Sequence, residues 1–218
     1  MVVSTSVSLS MEVLVVLKTD FETIVFANAG VVDKFDWYAK HDEVDGMPPP
    51  PELFASKVMY DGALYAAYLG MHYLRKTGGG SLIVTASSAA VYPSPYAPLY
   101  TASKHGALGL VRSMAAKLAD ENIHVSCICP GTVATGLMTK EAFDMLDQET
   151  FTPLEEIVKT VDMLLERGED TRGAAVEVVT DRKYLRWIPE YCDDRMEKCW
   201  VSMGGSTPIR KGGVNRVS

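Results

Sequence analysis

Five short apolar runs recur along the chain, at Val13–Leu17, Thr23–Ala27, Ser81–Thr85, Ile123–Ile128 and Ala174–Thr180. They are rich in Val and Ile and nearly continuous, the pattern of strands buried on both faces of a parallel sheet. Three segments between them, Glu52–Arg75, Tyr100–Ala119 and Pro153–Arg167, repeat their apolar positions with helical period. Pro48-Pro49-Pro50-Pro51 introduces the first, and Asp120-Glu121-Asn122 closes the second. Strands alternating with helices predict right-handed βαβ units and an α/β, three-layer, doubly wound parallel sheet. Gly78-Gly79-Gly80 follows a helix and feeds a strand, so it reads as a helix stop; a nucleotide loop would follow a strand and open a helix. Asp181–Ser218 carries Trp187, Tyr191 and Trp200 without a clear period, which predicts irregular packing and a mobile tail over residues 205–218. No internal repeat is visible. Residues 1–218 read as a single domain with an atypical segment at 1–20.

Composition narrows the classes. Of 218 residues, 47% are apolar and 22% charged, which excludes a disordered chain, a collagen-like repeat and a coiled coil. The net charge of −7 supplies no field toward phosphate backbones, so nucleic acid is not an expected partner. Arg210, Lys211 and Arg216 read as a solvated tail. No run approaches the roughly 20 apolar residues of a membrane helix, and Met1–Ser10 lacks the Lys or Arg of a secretory signal. Cys127 and Cys129 share one face of a strand, and Cys192 and Cys199 have no nearby His to complete a metal set, so four free thiols and no metal are expected. These features predict a cytoplasmic protein.

Tyr100 and Lys104, four apart at the start of a helix, share a face. An ammonium beside a phenol favours phenolate and lowers the tyrosine pKa, as a group exchanging protons with a substrate oxygen requires. Ser87 lies 13 residues earlier, after the strand Ser81–Thr85, where open α/β sheets bind ligands. Its hydroxyl can hold a carbonyl or alcohol oxygen beside the phenol.

From about Thr23 to Asp193 the sequence resembles the short-chain dehydrogenases/reductases, and among them the 15-hydroxyprostaglandin dehydrogenase-like members. The resemblance is carried by Asn28-Ala29-Gly30, Ser87-Ser88, Tyr100-Thr101-Ala102-Ser103-Lys104-His105-Gly106, Cys129-Pro130-Gly131 and Thr135. It implies a Rossmann-like fold, with Ser87 orienting the substrate oxygen, Tyr100 as general acid/base, and Lys104 lowering the tyrosine pKa and holding the cofactor ribose. It also implies that Asn28 braces the sheet while Pro130, Gly131 and Thr135 line the nicotinamide end. Thr135 reads equally as a helix cap.

The departures shape the expected function. No glycine precedes Gly30, and 27 residues precede Asn28, about a third of the family's usual number. The expected fold is therefore shortened by loss of the first βαβ unit, whose glycine turn and helix N-terminus hold a pyrophosphate. The family's relay asparagine falls at Met59 or Tyr60, with Asp61 as a nearby substitute. The expected activity is Ser–Tyr–Lys acid/base chemistry on a small apolar hydroxy or keto metabolite of secondary metabolism, without a cofactor, of isomerase, dehydratase or cyclase type. The alternatives are a dehydrogenase or ketoreductase using NAD or NADP, with an unusual or partner-completed cofactor site, and a non-catalytic binding or remnant subunit. Ser88, Tyr92, Tyr96 and Trp187 are expected to wall the substrate pocket, with Pro93, Pro95, Pro98 and Tyr191 nearby. Apolar residues on more than one face of the two long helices (Leu64, Tyr68, Leu110, Met114) predict a homodimer or homotetramer.

Overall fold

The computed structural model describes residues 2–3, 15–18, 23–137, 139–168, 171–205 and 214–217. The remaining parts of the atypical leading segment and of the tail expected to be mobile lie outside the described residues.

Among the described residues, eight strands form one sheet in chain order: β1 (Val2–Val3), β2 (Val15–Lys18), β3 (Thr23–Ala27), β4 (Gly80–Thr85), β5 (Ile123–Pro130), β6 (Ala175–Val179), β7 (Arg182–Arg186) and β8 (Val214–Val217). The central four, β3 to β6, are parallel, as their nearly continuous apolar sequences predict. Both margins are antiparallel: β2 pairs with β3, β1 with β2, β7 with β6 and β8 with β7. The expected parallel sheet is thus present at the centre, with antiparallel strands added at both margins. Part of the tail expected to be mobile, Val214–Val217, is paired as β8, and the segment expected to be irregular contains β7 and the helix α6 (Asp194–Ser202). The reason is local. Arg182–Arg186 follows β6 through a tight reversal at Thr180, whose φ is +52°, and pairs back along it.

Helices cover both faces. A short helix α1 (Phe54–Ser56) runs through a π turn at Lys57–Asp61 into α2 (Gly62–Lys76), and α3 (Pro98–Leu118) follows β4. Along α2 the buried positions Ala63, Ala66, Ala67, Gly70 and Leu74 recur at helical spacing, as do Lys104, Ala107, Leu108, Val111, Ala115 and Leu118 along α3. These stripes pack on Val25, Leu82, Val84, Val125 and Cys127, which project from one face of the sheet. The opposite face, with Ile83, Ile128, Val176 and Val178, is covered by Leu164 of α5 (Leu154–Leu165). Burying each such Val, Leu or Ile contributes about 1.5–3 kcal/mol relative to exposure. Small residues on α2 let it approach closely: a Cβ built at Gly70 would stand 2.7 Å from Val25 Cγ1.

Gly78-Gly79-Gly80 stops α2 and feeds β4, as its context predicts. All three have positive φ, and a Cβ at Gly79 would collide with Asn122. One topological expectation fails. Strands β3 to β6 advance in one direction, yet α2 and α3 lie on one face and α5 on the other, so the β5–β6 crossover has the opposite hand to the two before it. The stretch 131–153, which includes the short helix α4 (Lys140–Asp144), spans the change of face.

Candidate active site

The C-terminal ends of β3, β4 and β5 open onto a cleft of about 660 Å³. Asn28, Ala29 and Gly30 enter from the end of β3, Thr85 and Ser87 from β4, Pro130 and Gly131 from β5, and Tyr100 and Lys104 from the first two turns of α3. All seven residues expected in catalytic or cofactor-contacting positions, Ser87, Tyr100, Lys104, Asn28, Pro130, Gly131 and Thr135, line this one cleft.

Their contacts are specific. The Thr85 hydroxyl donates to Asn28 Oδ1 at 2.7 Å, tying the ends of β3 and β4 together, the bracing contact expected of Asn28. Ser87 Oγ accepts from the Ala89 N–H at 3.1 Å, capping the turn Ser88–Ala90, and its hydroxyl also hydrogen-bonds the Tyr100 phenol. Ser87 therefore caps its turn and lines the cleft at once. Lys104, 3% exposed, donates to the Thr85 carbonyl at 2.9 Å, and its Nζ lies 5.6 Å from the centre of the Tyr100 ring. Thr135 Oγ1 accepts from Leu137 N–H at 3.3 Å and so serves as a turn cap while facing the cleft.

Electrostatics depart from expectation at one point. Burial raises the Tyr100 pKa, opposed by the hydrogen bond with Ser87 and reinforced by the negative charge of Asp33. Lys104 does not drive it down, because its ammonium is directed to the Thr85 carbonyl and lies over the ring face. Burial lowers the Lys104 pKa itself from 10.5 to about 8, with a smaller opposing influence from the Cys129 and Cys127 thiols beneath it. Tyr100 is thereby held as a protonated phenol at neutral pH.

The wall differs from the one expected. Ser88, Tyr92, Tyr96, Trp187 and Tyr191 do not line the cleft. Tyr92 is drawn to the buried Glu177, which pairs with Arg186 at 2.5 Å, and the Arg186 guanidinium lies 5.2 Å over the Tyr92 ring. Tyr96 is 92% exposed, and Trp187 packs on the apolar layer under α5. The apolar lining comes instead from Val32, Phe54, Val133, Leu137, Leu154 and Ile157, and its charged residues are Lys34 and Lys104. Phe54 opens a helix after the proline run and Val133 follows the Pro130-Gly131 pair, signals the sequence carried. The apolar Leu154 and Ile157, one turn apart at the start of α5, were legible only as core. None of Met59, Tyr60 and the substitute Asp61 lines the cleft: Met59 is buried in the π turn, the Tyr60 ring packs against Gly106 of α3, and Asp61 is exposed. Among the described residues, no group of three or more His, Cys, Asp or Glu is placed to hold a metal, and no helix is long and apolar enough to cross a membrane.

An α/β sheet with a tyrosine, a serine and a lysine converging at the ends of its parallel strands presents groups able to exchange a proton with a ligand oxygen. The family model described as short chain dehydrogenase matches residues 23–146, and the chain belongs to that family. It is 35% identical over 206 residues to the short-chain dehydrogenase/reductase prx7 of Penicillium rubens, covering 83% of this chain and 72% of that one. The crystal structure of acetoin dehydrogenase YohF from Salmonella typhimurium is 29% identical with a TM-score of 0.53, over 71% of this chain and 62% of that one. ElxO with NADP bound, 19% identical at a TM-score of 0.53 over 71% of this chain and 64% of that one, shares the fold.

The residues present fit one end of a nicotinamide cofactor. Gly30 stands beside Lys104, and a Cβ built on it would lie 3.8 Å from Lys104 Nζ, in ordinary contact. Gly131, Pro130 and Thr135 face it across the cleft. For the adenosine diphosphate end the described residues offer no such cradle. The strand beside β3 is the antiparallel β2, no helix is described ahead of β3, and no glycine precedes Gly30.

Proposed function

We propose that the cleft interconverts a carbonyl and a hydroxyl on a small, largely apolar molecule. The observation that carries this reading is the convergence of Ser87, Tyr100 and Lys104 on one apolar-walled cleft at the ends of the parallel strands. The Ser87 and Tyr100 hydroxyls hold the substrate oxygen from two sides. In the reducing direction, Tyr100 donates its phenolic proton to the oxygen as negative charge develops there; in the oxidising direction it takes the proton back. Burial favours the protonated phenol, the form that donates in the reducing direction. Val32, Phe54, Leu137 and Leu154 select for an apolar body. A nicotinamide cofactor, when bound, supplies or accepts the hydride. Asn28, Lys104, Pro130, Gly131 and Thr135 would hold its nicotinamide riboside end. The finer kinship to the 15-hydroxyprostaglandin dehydrogenase-like members belongs to this reading.

A second reading is favoured by the antiparallel β2 and the lack of a pyrophosphate cradle among the described residues: acid/base chemistry without hydride transfer, as in an isomerase, dehydratase or cyclase. The experiment that separates them is titration of the purified chain with NADH and NADPH by cofactor fluorescence, followed by turnover on a panel of apolar ketones. Without the cradle, several kcal/mol of binding are missing and an ordinary micromolar site moves to about millimolar. The expected result is weak binding with cofactor oxidation that Tyr100→Phe abolishes. No oxidation at saturating NADH or NADPH, with solvent deuterium entering the carbon beside the carbonyl, would overturn the first reading for the second.

A further inference from the structure

We propose that Asp33 is a positioning residue of this site: reaching from the loop after β3, its carboxylate stands in for the side-chain cap that α3 lacks and fixes the turn that carries Tyr100. The inference rests on the reading of Tyr100 as the proton-exchanging group. The first turn of α3 needs an external acceptor. Its cap position is Ala97, which has no side-chain oxygen, and its first residue is Pro98, which has no N–H. Tyr100 N–H, an amide with no acceptor inside the helix at that position, donates instead to Asp33 Oδ2 at 3.1 Å, across 67 residues of sequence. The neighbouring Asp36 caps amides of its own loop, Tyr38 N–H at 2.9 Å and Ala39 N–H at 3.2 Å, so the long-range contact is particular to Asp33.

The other oxygen of Asp33 supports a role beyond holding. Oδ1 is buried with no hydrogen-bond partner among the described residues, so the carboxyl group stands at the positive end of α3 without being fully satisfied. Three groups face Tyr100: the Ser87 hydroxyl from the end of β4, the Lys104 ammonium one turn on in α3, and Asp33 from the β3 loop. Of these, Asp33 alone is negative. It fixes where the phenol stands and opposes formation of the phenolate.

Two variants separate anchoring from charge, both read on the ligand-free chain. The first readout is the titration of the Tyr100 ring by ¹³C-tyrosine NMR, assigned by Tyr100→Phe; the second is hydrogen exchange of the Tyr100 amide. In Asp33→Asn an acceptor remains and the charge is gone: the Tyr100 titration moves to lower pH while amide protection is retained. In Asp33→Ala the acceptor is gone as well, and exchange accelerates about tenfold, the loss of one hydrogen bond. An unmoved titration in folded Asp33→Asn overturns the proposal, as does unchanged exchange in Asp33→Ala; if Asp33→Ala does not fold, the Asp33→Asn titration decides. Neither readout depends on turnover. A chain that reduces no ketone yet shows both shifts refutes the proposed reaction and leaves the anchoring standing.

Discussion

Replacing Lys104 with Met should make the protein more stable near neutral pH while abolishing its activity. Lys104 is 3% exposed, and burial takes its pKa from 10.5 down to about 8. At about 1.4 kcal/mol per pH unit, that fall corresponds to about 3 kcal/mol of penalty for holding the ammonium in the folded protein. Met has similar reach, carries no charge and suits an apolar floor. The variant forfeits the 2.9 Å hydrogen bond to the Thr85 carbonyl, at about 1 kcal/mol, so the expected gain is about 2 kcal/mol. The sign follows from linkage. Below about pH 8 the folded and unfolded chains both hold the proton, and the folded protein bears the whole penalty. Between about 8 and 10.5 only the unfolded chain keeps it, so the penalty disappears as pH rises through this window. Urea unfolding of both proteins across this window, taken as a difference, cancels the other titrating groups. Wild type at least as stable as Lys104→Met near neutral pH, or a gap that does not close toward pH 10.5, would refute the assignment of Lys104 as a buried charge retained at a cost to stability.

Tyr100→Phe and Ser87→Ala should each lower kcat by about 10²–10⁴-fold with little change in KM, measured on whichever ketone turns over; an undiminished kcat in Tyr100→Phe removes it from the chemistry. Gly70→Ala drives a Cβ to 2.7 Å from Val25 Cγ1 and 3.2 Å from Cγ2, so thermal melting should show a loss of about 1–3 kcal/mol, and an unchanged melting temperature would mean that α2 slides freely on β3. Tyr65 and Tyr68 stand 64% and 68% exposed on α2, and Leu110 and Met114 of α3 are half-buried. On that surface we expect a symmetric dimer at micromolar concentration in sedimentation, converted to monomer by Tyr68→Glu; a monomeric wild type ends this expectation.

The parallel strands were legible because burial on both faces leaves nearly continuous apolar sequence, and Thr23–Ala27 keeps the bounds its pattern predicts. The convergence of Ser87, Tyr100 and Lys104 on one cleft was legible because Ser87 follows the end of a strand and the other two stand four apart on one helix. Strand β7 was not. Its sequence, Arg-Lys-Tyr-Leu-Arg, is mostly half-exposed and charged, and only pairing with β6 makes it a strand. The wall of the cleft failed for a related reason. Tyr92 follows Ser87 closely in sequence, but its partners Glu177 and Arg186 lie 85 and 94 residues away, and their ion pair draws the ring off the cleft. The tyrosine pKa was misjudged because helical spacing places Lys104 near Tyr100 without revealing that the Thr85 carbonyl would claim the ammonium.

The change of hand between β5 and β6 has a consequence for how this scaffold can diversify. A chain that must travel from one face of the sheet to the other has to pass over an edge, and here it passes over the carboxyl edge, where Ser87 and Tyr100 stand. The bridge over residues 131–153 is therefore a roof by topology, contributing Gly131, Val133, Thr135 and Leu137 to the cleft while the layers beneath remain closed by other residues. Its length and sequence can drift through insertion or exchange without opening the apolar layers, so selectivity for the ligand can evolve separately from foldability.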